Sequence, residues 1–138
     1  MSDINQEKID IFYFSKKPEV YALYNLENYY FVIFLNGGHG GGDRIVQITK
    51  QSFEELKSDS YNFNQIIDKD TRLKDLDQTL KKYLYFSSSE PYILYEIDNR
   101  CFIELWKKQR TGTSQAVKID EKSFNQLLDE TILPSQIL

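Results

Sequence analysis

The chain has 138 residues, with 17 basic and 21 acidic side chains and a formal net charge of −4. A chain of this length fits one domain that buries about two-thirds of the surface it exposes when unfolded. The acidic balance weakens the case for indiscriminate binding of polyanions over the whole surface, so a nucleic-acid site would have to be a local basic patch. Ten Tyr and nine Phe stand against two Ala, which favours strands over helices.

The cysteine content and the apolar pattern indicate the cellular compartment in which the protein is expected. The single cysteine, Cys101, excludes an internal disulfide and supplies no zinc cluster, which fits a reducing compartment. The N-terminal residues lack a signal-peptide pattern, and no apolar run approaches the roughly 18 residues of a membrane helix. We therefore expect a soluble intracellular protein, nuclear or cytoplasmic, without membrane association.

The first half of the chain predicts four strands and then a helix. The strands are expected at residues 9–14, 20–26, 29–35 and 44–48. Glu27-Asn28 predicts a tight turn because Asn tolerates positive φ. The glycine-rich residues 36–43, NGGHGGGD, predict a flexible hairpin end. Thr49 occupies an N-cap position, and the apolar spacing after it changes to a helical period.

The second half repeats this series 71 positions later without a gap. Identical matched pairs include Tyr24 with Tyr95, Phe31 with Phe102, Phe53 with Phe124, and Leu56 with Leu127. The same offset places Asp98-Asn99 at a turn and Asp120 at an N-cap. A duplicated unit usually cannot bury its apolar face alone, so the two copies are expected to associate.

The sequence therefore predicts an α+β fold of two tandem β-β-β-β-α repeats within one domain spanning residues 1–138. The repeats cover about 9–67 and 80–138, with a charged connector at 68–79. We expect an intramolecular pseudo-twofold dimer with curved antiparallel sheets. The helices are expected to pack on one face of these sheets or to cross between the copies.

Alternation along the third strand of each copy sorts its side chains onto two faces. One set is apolar or aromatic in both copies and is the expected core face: Tyr30, Val32 and Phe34, with Cys101, Ile103 and Leu105. The opposite set mixes charge with large rings and is expected to point outward: Tyr29, Phe31, Ile33 and Leu35, with Arg100, Phe102, Glu104 and Trp106.

The order of these elements resembles the PUR repeat, in which strand, turn and strand lead through a glycine-rich loop to a short strand and an amphipathic helix. The residues that carry the likeness are 20–35, 37–42 and 44–56, with their partners 92–106 and 115–127. The β4-α order is also similar to the positive-cofactor-four type of transcription coactivator and to the whirly proteins. In these families two β4-α units associate about a twofold axis and bind single-stranded DNA or RNA on their sheets. The resemblance implies the same function here, without a cofactor.

Ten residues are the candidate nucleic-acid ligands. They are Tyr29, Phe31, Arg44, Arg100, Phe102, Trp106, Lys107, Lys108, Arg110 and Lys118. Rings on a sheet can stack bases for about 1–3 kcal/mol each, while neighbouring cations position the phosphates. Alternatively, the rings pack against the other copy or a partner chain, and the cations form an ordinary charged hairpin end.

Nothing in the sequence predicts an enzyme or a metal site. The glycine-rich loop lacks the G-x-x-x-x-G-K-[ST] pattern of a phosphate-binding loop. His39 is the only histidine and lies on that loop, and Cys101 is expected on the core face. Two further functions remain open: a subunit that binds another protein, or a second copy of itself, through its sheet faces, and an acidic inhibitor that covers the basic cleft of a nuclease.

Overall fold

The computed structural model describes residues 7–14, 21–27, 29–34, 45–58, 68–70, 73, 76, 78, 80–106 and 112–138. Within them the strands are β1 (Lys8–Phe14), β2 (Tyr21–Leu26), β3 (Tyr29–Phe34), β4 (Ile45–Ile48), β5 (Lys81–Tyr85), β6 (Tyr92–Ile97), β7 (Arg100–Leu105) and β8 (Gly112–Ile119). Helix α1 (Lys50–Lys57) follows β4, helix α2 (Glu121–Leu128) follows β8, and a 3-10 helix spans Pro134–Gln136. Residues 68–70 are also helical. The predicted α+β class is confirmed.

All eight strands form one antiparallel sheet in the order β4-β3-β2-β1-β8-β7-β6-β5. The two halves are joined where β1 pairs with β8, with Ile9 opposite Ala116. The sheet curls, so that Ile45 of β4 and Leu80 beside β5 belong to the same buried cluster. The backbone N–H of Gln78 also donates to Oε1 of Gln47 at 3.1 Å, which links the regions of the two edge strands.

The inward face of the curled sheet carries the largest buried cluster. Its aromatic members from the two halves meet, and the rings of Tyr24 and Tyr95 are in edge contact at 5.7 Å between centroids. The other buried members are Ile9, Ile11, Tyr13, Ala22, Leu26, Phe31, Ile33, Ile45, Leu80, Ile93, Ile97, Phe102 and Ala116. Burying this many apolar side chains is the main stabilising contribution to the fold, at about 25 cal/mol per Å² removed from water.

The two helices pack on the outward face of the sheet. Phe53 and Leu56 of α1 pack on a cluster that includes Tyr21, Leu23, Val32 and Ile48. Phe124 and Leu127 of α2 pack on Tyr92, Leu94, Cys101 and Ile103. Each half of the sheet is thus covered by the other half on its inward face and by a helix on part of its outward face.

The predicted assignment of the two faces is therefore only half correct. Cys101 and Ile103 are buried under α2, as expected, but Leu105 on the same face is 46% exposed. The expectation of an outward position is wrong for Phe31, Ile33 and Phe102, which are 0% exposed within the inward cluster. It is also wrong for Glu104, which is 2% exposed. The side chain of Phe34, Leu35 and the glycine-rich loop at 36–43 lie outside the described residues.

The predicted helix starts and the turn at Asp98-Asn99 are confirmed, and Glu27 also lies in a turn, while Asn28 lies outside the described residues. Glu27 and Asp98 adopt positive φ values of 57° and 52° at the two hairpins. The side chain of Thr49 accepts a hydrogen bond from the backbone N–H of Ser52, and that of Asp120 accepts one from Ser123. These acceptors satisfy N–H groups that the first turn of a helix cannot pair internally.

Candidate functional site

The aromatic candidates lie mostly inside the molecule. Phe31 and Phe102 are fully buried, and Tyr29 and Trp106 are half-buried against the same inward cluster. The ring of Trp106 contacts that of Phe86, with 4.2 Å between centroids, and Phe86 is exposed. The rings therefore do not form an open stacking platform, and Phe86 was not singled out from the sequence.

The described basic candidates are paired with carboxylates. Nη1 of Arg100 lies 2.7 Å from Oε1 of Glu27 and 3.3 Å from Oε2 of Glu7, and Nζ of Lys118 lies 3.1 Å from Oε1 of Glu7. The hydrogen bond to Glu27 is the largest cause that raises the pKa of Arg100, and the hydrogen bond from Lys118 is the largest that lowers the pKa of Glu7. A phosphate would compete with these carboxylates for the two cations. Arg44, Lys107, Lys108 and Arg110 lie outside the described residues.

A polar network crosses the inward cluster. Glu104 of β7 is 2% exposed, and its two carboxyl oxygens accept hydrogen bonds from the hydroxyls of Tyr13 and Tyr95, both at 2.6 Å. Burial raises the pKa of Tyr95 well above its ordinary value. Because Tyr13 belongs to β1 and Tyr95 to β6, the carboxyl group ties the two halves together and satisfies polar groups that would be costly to bury alone.

Cys101 is a free, buried cysteine. Burial raises the pKa of the Cys101 thiol, which opposes formation of the reactive thiolate. In this part of the chain no three His, Cys, Asp or Glu side chains are grouped to hold a metal ion, and His39 lies outside it. A search of the described helices finds none with the length and apolar character needed to cross a membrane.

A groove of about 590 Å³ opens on the outward face, along the seam between β1 and β8. Its lining is Asp10, Ile11, Phe12, Ile103, Leu105, Thr113, Ser114, Gln115, Val117 and Leu138. Three of these side chains are large, apolar and exposed: Leu105 by 46%, Val117 by 39% and Leu138 by 56%. We name the surface formed by these ten residues the seam groove.

One acidic residue lies in the seam groove. Oδ1 of Asp10 accepts a hydrogen bond from Nε2 of Gln115 at 3.0 Å, and no described lysine or arginine forms an ion pair with this carboxylate. Asn25, which faces Asp10 across β1 and β2, has a buried Oδ1 without a hydrogen-bond partner. Nζ of Lys57 lies 4.6 Å from the ring centroid of Phe12. The surface thus combines an apolar wall with one carboxylate.

Sequence reasoning did not find this surface. Leu105 was placed on the core face, and Asp10, Val117 and Leu138 were not singled out. The local signal was the alternation in β8, where Ala116 is buried inward while Val117 is exposed outward. That signal becomes meaningful only with the pairing of β1 and β8, whose partners are about a hundred positions apart in the chain.

Neither a protein-family model, nor a curated protein, nor a solved structure matches this chain. The function is therefore inferred from the geometry and chemistry of the described residues.

Proposed function

We propose that the protein is a protein-binding module that takes a segment of a partner protein into the seam groove. The observation that carries this proposal is the joint exposure of Leu105, Val117 and Leu138 along one groove. Exposed apolar groups clustered in this way are typical of interaction sites. The aromatic face predicted to bind bases is closed inside the sheet, so the seam groove is the better candidate among the described surfaces.

The size and shape of the seam groove favour a polypeptide segment. Its volume of about 590 Å³ falls within the range of roughly 300–1,000 Å³ for ligand sites, yet it is an open groove. Small-molecule sites usually enclose most of their ligand, whereas an open groove can take side chains from a passing segment. This binding mode differs from the one expected from the sequence, which used the aromatic sheet faces.

We also infer that the fold is a duplicated β4-α unit arranged as a pseudo-twofold dimer. Contacts at the constant offset of 71 residues support this inference. They are the hydrogen bonds from the hydroxyls of Tyr21 and Tyr92 to the carbonyls of Leu56 and Leu127, at 2.6 and 2.7 Å, and the stacked rings of Phe14–Tyr21 and Tyr85–Tyr92, at 5.0 and 4.9 Å. Duplication accounts for the closed interior, because each unit presents its inward face to the other.

The test of the binding proposal is selection from a library of random linear peptides of about 16 residues displayed on phage, with the full chain immobilised. Peptides recovered on the wild type should bind Val117→Lys at least about tenfold more weakly, because the lysine places a charge on the apolar wall. Leu84→Lys is the matched control, since Leu84 is 47% exposed on β5 and outside the seam groove. Recovery of no peptide, or equal binding to Val117→Lys, would refute the proposal.

Binding of single-stranded nucleic acid is the second candidate, and one contact favours it. Phe86 is exposed and its ring meets that of Trp106, which immediately precedes Lys107 and Lys108 in the sequence. An exposed ring can stack a base while a cation contacts the phosphate of the same strand.

Fluorescence anisotropy with labelled single-stranded DNA and RNA at two salt concentrations tests this second candidate. Binding should weaken with salt and fall in Phe86→Ala, but not in the control Leu84→Ala. If neither nucleic acid binds at about 50 μM protein, binding of single-stranded nucleic acid is excluded as the function.

A further inference from the structure

We infer that the seam groove recognises a basic segment, with Asp10 as the residue that determines specificity by pairing with a lysine or arginine of the partner. This inference rests on the proposed binding of a partner protein in the groove. It adds the chemistry of the partner: one cationic side chain next to apolar ones.

The hydrogen-bonding state of the groove supports a cationic donor. A carboxylate has about four acceptor positions, and Asp10 uses one of them for the side chain of Gln115. Lysine and arginine carry several donors and no acceptor, so they match the unused acceptor positions of the Asp10 carboxylate better than any neutral side chain.

The pairing of the strands limits how the segment can bind. The strands under the groove, β1, β8 and β7, are each hydrogen-bonded to a neighbour on both sides. No free strand edge is therefore present there, and the partner cannot be added as a further strand. The partner must therefore be recognised by side-chain contacts. The charge of Asp10 then directly affects which segment binds.

The same charge argues against a second copy of the chain as the occupant. In a twofold dimer the same surface meets itself, so each of the two facing seam grooves would carry an Asp10 carboxylate. The net charge of −4 adds to this repulsion between copies. A basic segment of another protein is attracted by both features.

The experiment repeats the peptide selection on the wild type and on Asp10→Lys, followed by measured affinities of the synthesised peptides. Wild-type selections should be enriched in lysine and arginine, and Asp10→Lys selections in aspartate and glutamate. Replacing the basic residue of a selected peptide with glutamate should weaken its binding to the wild type by about fivefold or more, the upper range for a partly exposed ion pair. Asp10→Asn can keep the hydrogen bond from Gln115 and should lose the preference for lysine and arginine. It replaces Asp10→Lys in the experiment if that variant does not fold.

The outcomes distinguish the inferred role of Asp10 from the proposed binding of a partner segment in the seam groove. Peptides that are lost on Val117→Lys but bind the wild type and Asp10→Asn equally would overturn the role of Asp10 and leave groove binding intact. A concentration-dependent dimer in light scattering, abolished by Val117→Lys, would overturn the choice of a basic partner in favour of a second copy. Equal binding to Val117→Lys would overturn both.

Discussion

Replacing Glu104 with leucine should destabilise the protein severely, although leucine is apolar and similar in size. The two oxygens of Glu104 accept hydrogen bonds of 2.6 Å from Tyr13 and Tyr95, and all three residues lie in the inward cluster. In Glu104→Leu both hydroxyls lose this acceptor while the rings remain packed. Ile33, 71 positions earlier in the chain, is an aliphatic residue buried in the same cluster, so the interior can accommodate such a side chain.

The magnitude follows from the two hydroxyls. Each buried donor that loses its partner costs about 1–3 kcal/mol, so Glu104→Leu should lower the free energy of unfolding by roughly 2–6 kcal/mol. The total free energy of unfolding of a natural domain is about 5–15 kcal/mol, so this loss would be a large part of it. The triple variant Tyr13→Phe/Tyr95→Phe/Glu104→Leu removes the donors together with the acceptor. The free energy of unfolding of this triple variant should lie within about 1 kcal/mol of the wild-type value. Replacing all hydrogen-bonding partners with apolar groups often leaves stability nearly unchanged.

Urea denaturation followed by far-ultraviolet circular dichroism measures these free energies, with the slope against urea as a check that each variant unfolds in the same two-state manner. Glu104→Gln is the informative intermediate, since its amide can accept only one of the two hydrogen bonds. A Glu104→Leu variant within about 0.5 kcal/mol of the wild type would refute the reasoning, as would a triple variant no more stable than the single one.

Three further predictions concern stability and reactivity. Burial raises the pKa of Tyr92 to about 12, against about 10 in the unfolded chain, so its stabilising contribution is complete below pH 10 and is lost as the pH rises through 12. Tyr92→Phe should therefore flatten the fall in unfolding free energy over that range. Thr49→Ala should cost about 1 kcal/mol in the same urea assay by removing the cap on Ser52, whereas Thr49→Ser should cost less. Cys101 should react with Ellman's reagent only in denaturant, because the thiol is buried and its pKa is raised; rapid labelling of the native protein would contradict its position under α2.

Much of the local structure could be predicted from the sequence, because it depends on neighbouring residues. Alternating apolar side chains located the strands, Asp98 and Asn99 marked a hairpin that needs positive φ, and Thr49 and Asp120 marked the starts of helices. Each of these features is set by interactions within a few positions of the chain. The tandem arrangement itself remains an inference from the offset of 71 residues and the contacts that share it.

The candidate sites depended on contacts that no local pattern contains. Alternation divided β7 into two faces, but it could not decide which face lies inside when both carry large apolar groups. Only the closure of the curled sheet placed Phe102 in the interior, and only the fold brought Arg100 to the carboxylates of Glu7 and Glu27.

The sequence by itself determined the strands, the turns and the helix caps of this protein. The tertiary structure decided which surface is left for a partner, through the pairing of β1 with β8, whose register places Asp10 opposite Gln115. The physical reason is the separation of the interacting residues along the chain. Turns and caps are formed by residues a few positions apart, whereas the seam groove is formed by β1 and β8, which meet only when the whole sheet has folded.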